Sequence, residues 1–179
     1  MNKLVAKQIF KMSRVATPRG TSLNRQTKDT PLDELGYYLP LVIKPCSGGS
    51  SIGVYIVHTE EEYLDAIHQS FDVHQEEEVV IEPYIKGREF ACGILAGKAL
   101  PIVEIIPKDG VFNYENKYQA GGAQEICPPV SLDEKTQKKM KRMAEKAFRT
   151  LRMDVYARAD FIVDDTDGKF YCMEMNGLP

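Results

Sequence analysis

Four residues in two short segments have the types and spacing of a cation-dependent site. They are Arg158 and Asp160 in Tyr156-Ala-Arg-Ala-Asp160, and Glu174 and Asn176 in Tyr171-Cys-Met-Glu-Met-Asn176. Carboxylates crowded together repel, and a cation is the simplest way to neutralise them. The ligand atoms are all oxygen, with no His or Cys at a matching spacing, which points to Mg2+ or Mn2+ rather than zinc. A bridging Glu174 between Asp160 and Asn176 suits a pair of ions roughly 4 Å apart, as in phosphoryl-transfer sites. A solvated hairpin with ordinary surface carboxylates has the same local sequence, so the rest of the chain has to decide.

The elements that must hold these residues are two strands joined by the polar turn Asp164-Asp-Thr-Asp-Gly168. On the first, Val155, Ala157, Ala159, Phe161 and Val163 alternate with Tyr156, Arg158, Asp160 and Ile162, a period of two. The apolar set needs a core, so Arg158 and Asp160 share the other face. On the second, Tyr171, Met173 and Met175 form the expected apolar set, leaving Glu174 and Asn176 together on the opposite side. Folding about the turn puts Asp160 opposite Glu174 and Arg158 opposite Asn176.

From the start of the chain, Leu4, Val5, Ile9 and Met12 have helical spacing, with Asn2 as N-cap. Lys3 and Lys7, one turn apart, read as solvated helix lysines. Thr17-Pro-Arg-Gly20 ends the helix, and a polar loop with at most one short strand continues to Tyr38. Leu39 to Lys44 and Val54 to Val57 are strands around Pro45-Cys-Ser-Gly-Gly-Ser-Ser-Ile-Gly53. This strand–loop–strand matches neither the P-loop nor the dinucleotide fingerprint. Its glycines still let backbone N–H groups approach an anion, its serines can donate, and Lys44 supplies charge at its base. A plain turn of small residues reads the same way.

Thr59-Glu-Glu-Glu62 is a capping-box start for a helix to about Phe71, with Tyr63, Ala66, Ile67 and Ser70 inward. Glu78 to Glu82 is a strand whose end, Glu82-Pro-Tyr-Ile85, has backbone able to pair with an adenine edge. Glu89 is able to accept ribose hydroxyls. Both are equally ordinary surface glutamates by pattern. Arg88 to Leu95 and Ala99 to Ile106 are neighbouring strands. Pro107 to Pro129, carrying Tyr114-Glu-Asn-Lys-Tyr118, is long enough for a lid, or for simple surface irregularity. Ser131, with Glu134 at the capping-box position, starts a helix to Leu151 whose stripe of Leu132, Met140, Met143, Ala144, Ala147, Phe148 and Leu151 is core.

The net charge is −3 and no basic stripe interleaves with aromatics, so nothing favours nucleic acid. No apolar run reaches membrane-spanning length, and the start has no signal-peptide h-region. The cysteines Cys46, Cys92, Cys127 and Cys172 lie far apart without a C-x-x-C pair, the usage of free thiols in a reducing cytosol.

Lys44, the Gly/Ser loop, Glu82-Pro-Tyr-Ile85, Lys117-Tyr118 and Arg158-x-Asp160…Glu174-x-Asn176 occur in an order that resembles the ATP-grasp superfamily. Within it they resemble the D-alanine–D-alanine ligase family, from about Asn2 to Pro179. The resemblance implies an α/β ATP-grasp fold of two lobes with antiparallel sheets and packing helices, the nucleotide lying between them. Residues 1–41 would be a lead-in helix and linker, 42–85 the small lobe and 86–179 the large lobe. It also implies roles. Lys3 and Lys44 would contact ATP phosphates and Lys117 the terminal one; Glu82 with the backbone of Tyr84 and Ile85 would hold adenine, and Glu89 the ribose. Asp160, Glu174 and Asn176 would bind two Mg2+ (or Mn2+) ions. Ser50 and Ser51 would close the loop over an acyl phosphate, Arg158 would stabilise the tetrahedral oxyanion, and Tyr118 would join a relay with Ser50. Tyr118 beside Lys117 is the family pattern for a dipeptide product.

The implied substrates are ATP and D-alanine, in a cytoplasmic enzyme of peptidoglycan precursor synthesis whose full-length form is a homodimer. Against the family pattern, the N-terminal ligase domain and the sequence beyond Asn-x-x-Pro are missing, and Gly48 stands where some relatives have Glu. The expectation is a truncated ATP-binding part, inactive alone. An ATP-grasp ligase for another carboxylate and amine, or a nucleotide-binding fragment without turnover, remain open at this point.

Overall fold

A computed structural model of the chain describes residues 1–49, 52–107 and 123–177. The backbone divides into two compact units. One holds Asn2–Val5 and Pro18–Tyr84; the other holds Met1, Ala6–Thr17 and Ile85–Pro179. Each carries its own antiparallel sheet and its own core, the α/β class with antiparallel sheets expected above.

In the first unit, β1 (Thr21–Asn24), β2 (Leu41–Pro45), β3 (Tyr55–Val57) and β4 (Glu78–Pro83) are ordered β1-β4-β2-β3. The one short strand that the polar segment before Tyr38 is able to hold is β1, with Thr21 to Asn24 pairing Ile81 to Glu78. Four residues without strong β-formers carry little pattern, and the pairing with β4 decides the conformation. Helix α2 (Glu60–His68) begins as expected: the Thr59 hydroxyl accepts from the Glu62 amide at 3.2 Å. It runs on into a wider turn over Gln69–Val73. Tyr63, Ala66, Ile67 and Phe71 pack with Leu23, Leu41, Ile43, Val57, Val79 and Ile81 in one core.

In the second unit, β5 (Gly87–Leu95), β6 (Lys98–Pro107), β7 (Ala123–Ile126), β8 (Tyr156–Asp164) and β9 (Phe170–Asn176) are ordered β7-β6-β5-β8-β9. Ala96 (φ 48°) and Gly97 (φ 76°) make the β5–β6 connection, two successive left-handed residues as a tight hairpin requires. Helix α3 (Glu134–Thr150) covers the core with Met140, Ala144, Ala147 and Phe148, the stripe read from sequence. Its cap differs from expectation. Asp133 Oδ1 accepts from the Thr136 amide at 2.9 Å, while the Ser131 hydroxyl donates to buried Glu104 at 2.5 Å. Ser131 and Asp133 compete for one cap, and the Glu104 bond commits Ser131 elsewhere.

The first helix, α1 (Lys3–Met12), is capped by Asn2, whose Oδ1 accepts from the Val5 amide at 3.0 Å. Its buried residues are Ala6, Lys7 and Phe10; Val5 and Met12 are exposed. The expected face of Leu4, Val5, Ile9 and Met12 is thus corrected. One fully buried Phe contributes about 1.5–3 kcal/mol, and burying Phe10 turns Lys7 inward with it. No helix among the described residues is long and apolar enough to cross a membrane.

Candidate functional site

In the second unit the β8–β9 register is the expected one: Arg158 pairs Asn176 and Asp160 pairs Glu174. Ala157, Ala159, Phe161 and Val163 point into the core, so the four polar residues stand half-buried on the other face. The expected apolar set of β9 does not hold. Phe161 pairs Cys172 while Asp160 pairs Glu174, so Met173 is an extra residue, a β-bulge. A bulge switches parity: Cys172 and Met175 enter the core, and Tyr171 and Met173 do not. The same bulge sits directly before Glu174, where bulges commonly re-aim a side chain.

The polar face continues across β5. Gly93 pairs Arg158, Ala91 pairs Asp160 and Glu89 pairs Ile162. Glu89 is therefore on the same face as Asp160, two residues of β5 along. Arg158 forks onto Asp160, Nε to Oδ1 at 2.7 Å and Nη2 to Oδ2 at 3.0 Å. Asn176 Nδ2 also donates to Asp160 Oδ2, at 2.8 Å, and lies 3.4 Å from Glu174 Oε1.

Among the described residues no three His, Cys, Asp and Glu side chains cluster as a metal-ligand set. What the face does offer is two carboxylates and an amide on paired strands, a hard-oxygen donor set that fits Mg2+ or Mn2+. Half a turn of the Asn176 amide would present its oxygen in place of its nitrogen.

In the first unit, the Lys3 amide donates to the Cys46 carbonyl at 2.7 Å, and Lys3 Nζ to the Gly48 carbonyl at 3.1 Å. The N-terminus of α1 is thereby tied to Cys46 and Gly48 at the start of the Gly/Ser loop. Lys44 Nζ bonds to Glu82 Oε1, and both residues are buried, at 7% and 0% exposure. Glu82 is accordingly no surface glutamate. Tyr84 donates its amide to the Pro40 carbonyl at 3.0 Å and meets the His58 ring edge-on. Ile85 opens the second unit. Ser50, Ser51, Lys117 and Tyr118 lie outside the described residues.

Sequence reasoning missed two features. Lys7, read as solvated, is buried at 6% exposure, and its Nζ lies 3.3 Å from Thr17 Oγ1. Next to Thr17, the Ala16 carbonyl accepts the Cys172 amide at 2.8 Å, stitching this segment to the outer edge of β9. The inward position of Phe10 was the signal that could have found it. The second feature is the setting of Cys172, whose thiol is pushed well up by burial. The Asp160 charge raises it further, Lys7 opposes, and Glu174 adds to the rise.

Comparison with known proteins agrees with this architecture. A family model described as the D-ala D-ala ligase C-terminus matches residues 10–179. The D-alanine–D-alanine ligase of Pediococcus pentosaceus is 35% identical over all of this chain and 49% of its own length. The crystal structure of D-alanine–D-alanine ligase from Bacillus anthracis complexed with ATP is 34% identical. It superposes with a TM-score of 0.79 over 99% of this chain and 56% of its own. The VanG D-Ala:D-Ser ligase from Enterococcus faecalis is 25% identical, with a TM-score of 0.82 over 100% of this chain and 52% of its own. The fold is the ATP-grasp fold of these ligases. The chain belongs to the D-alanine–D-alanine ligase C-terminal family, and it spans about half the length of the curated relatives it matches.

Proposed function

We propose that this chain provides the nucleotide and metal chemistry of an ATP-dependent D-alanine–D-alanine ligase. The observation that carries the reading is the β8–β9 register, which gathers Arg158, Asp160, Glu174 and Asn176 on one solvent-facing side of a sheet. Residues 42–85 act as the small lobe and 86–179 as the large lobe, with 1–41 leading in.

ATP supplies a γ-phosphoryl group that activates the carboxylate of one D-alanine as an acyl phosphate, from which the amine of a second D-alanine then displaces phosphate. The chain's own residues do electrostatic work. Lys3 and Lys44 hold phosphate oxygens beside the Gly/Ser loop, and the ion pair with Glu82 fixes where the Lys44 ammonium sits. Glu82 and the backbone of Tyr84 and Ile85 hold the adenine edge, and Glu89 the ribose. Asp160, Glu174 and Asn176 would hold two divalent ions, whose charge offsets that of the phosphates. Arg158 faces the oxygen that gains charge when the amine attacks. Lys117 belongs to the terminal phosphate, and Ser50, Ser51 and Tyr118 to excluding water from the acyl phosphate. The full-length protein is a cytoplasmic homodimer in peptidoglycan precursor synthesis; the family resemblance supports this.

Release of ADP or phosphate from Mg-ATP that depends on D-alanine tests the proposal, in this chain and in a full-length relative carrying its residues. A second reading has a specific basis: a D-Ala:D-Ser ligase matches the same residues. D-serine as the better second substrate would favour it. Nucleotide binding with no ADP–ATP exchange in either setting would leave a binding module and sink the ligase reading.

A further inference from the structure

We propose that the Arg158 guanidinium and a divalent cation compete for the Asp160 carboxylate, so that metal arrival redirects Arg158 from its own strand toward the substrate. The proposal rests on the reading of Asp160 as a metal ligand. A carboxylate has about four lone-pair positions for donors or ions. In this structure Arg158 takes one on Oδ1 and one on Oδ2, at 2.7 and 3.0 Å, and Asn176 Nδ2 takes another on Oδ2 at 2.8 Å. A metal ion that takes both oxygens of Asp160, or that comes close enough to repel the guanidinium, therefore has to displace existing donors.

Arginine stays protonated, so the exchange cannot proceed by loss of its proton. Two full positive charges against one carboxylate repel, which makes the two occupants alternatives. The pair is also exchangeable. Its side chains are 39% and 25% exposed, so solvent screens the pair, although its two-pronged geometry makes it stronger than an ordinary exposed pair.

The sheet leaves the displaced group somewhere to go. Gly93 on β5 is the direct cross-strand partner of Arg158, and Ala91 that of Asp160. A Cβ built on Gly93 would have Leu100 as its nearest neighbour, at 3.2 Å. On the side away from Glu174 and Asn176, Arg158 therefore has beside it a glycine over which the Leu100 side chain packs. A guanidinium leaving Asp160 toward β5 meets that leucine, and an arginine stem can lie along such an apolar side chain with its charged head in water. Metal loading and presentation of the oxyanion donor become one event, so the donor is withheld until the phosphate-binding ions are in place.

The test is the Arg158 Nε–H signal in nitrogen-15 NMR of the full chain, followed during Mg2+ addition with and without a non-hydrolysable ATP analogue. The expected result is movement of that signal to the position of solvated arginine, with the same midpoint as the Asp160 amide. Glu174→Gln should shift both midpoints to higher Mg2+ together. In parallel, Arg158→Met should bind Mn2+ about three- to ten-fold tighter by electron paramagnetic resonance. Arg158→Lys, which keeps the charge but loses the fork, should tighten in the same direction. An Asp160 amide that titrates while the Arg158 signal stays still overturns the proposal and leaves the metal site standing. So does an Arg158→Lys variant at wild-type affinity. If Mg2+ moves neither signal under either condition, the metal-site reading fails and the proposal with it.

Discussion

The Lys44–Glu82 pair gives the sharpest energetic test of the first unit. Lys44 is 7% exposed and Glu82 fully buried, with the ammonium bonded to the carboxylate. Removing one partner of a buried ion pair strands the other charge, at about 3–5 kcal/mol. With solvent nearly excluded from both groups, no large discount for screening applies. Lys44→Met should therefore destabilise the β1-β4-β2-β3 sheet by about 3–5 kcal/mol, a large part of a typical domain stability of roughly 5–15 kcal/mol. Adding Glu82→Gln removes the stranded charge and should return at least about 2 kcal/mol, a coupling of the size seen between contacting residues. Because the chain has two cores, a single unfolding midpoint would average them. Hydrogen exchange of the Val79, Val80 and Ile81 amides on β4 reports the unit that carries the pair. A Lys44→Met loss below about 1 kcal/mol, or a double variant as unstable as the sum of the single ones, would refute this account of the pair.

Other consequences follow from single positions. A Cβ on Gly87 would lie 2.1 Å from the Val163 carbonyl oxygen, so Gly87→Ala should cost about 2–3 kcal/mol by forcing β5 from β8, measured by urea unfolding. Asp133→Ala should cost about 1 kcal/mol as a lost N-cap, and thermal melts should show no such cap loss for a Glu134→Ala control. Iodoacetamide at pH 8 should modify exposed Cys127 and spare buried Cys46, Cys92 and Cys172, as peptide mass mapping would show. Burial pushes Cys92 from the ordinary 9.0 up to about 12, so its unfolded form ionises first. Its contribution to stability is complete below pH 9 and is lost as pH rises toward 12, by about 1.4 kcal/mol per pH unit. The fall in unfolding free energy between pH 9 and 10 should accordingly be smaller in Cys92→Ala.

Much of the candidate site was legible because strand alternation and a polar turn leave few registers open. Ala157, Ala159, Phe161 and Val163 demanded a core, and that alone set Arg158 and Asp160 on the other face. The caps at Asn2 and Thr59 were legible for a similar local reason. What failed was decided by contacts distant in sequence. One extra residue at Met173 reversed the parity of half of β9, and nothing in Tyr171-Cys-Met-Glu marks where a bulge falls. Ser131 was a plausible cap until Glu104, on another strand, claimed its hydroxyl. Lys7 and Glu82 looked solvated because charge usually is. Each is buried beside a partner, Thr17 and Lys44, that only the fold brings near.

If Asp160, Glu174 and Asn176 hold divalent ions, nucleotide binding by this chain depends on such an ion. Calorimetric titration with a non-hydrolysable ATP analogue, with and without Mg2+, on the wild type and on Glu174→Gln, tests it most directly. Mg2+ should strengthen binding in the wild type and have a much smaller effect in the variant. Equal strengthening by Mg2+ in both proteins would contradict the metal-site reading.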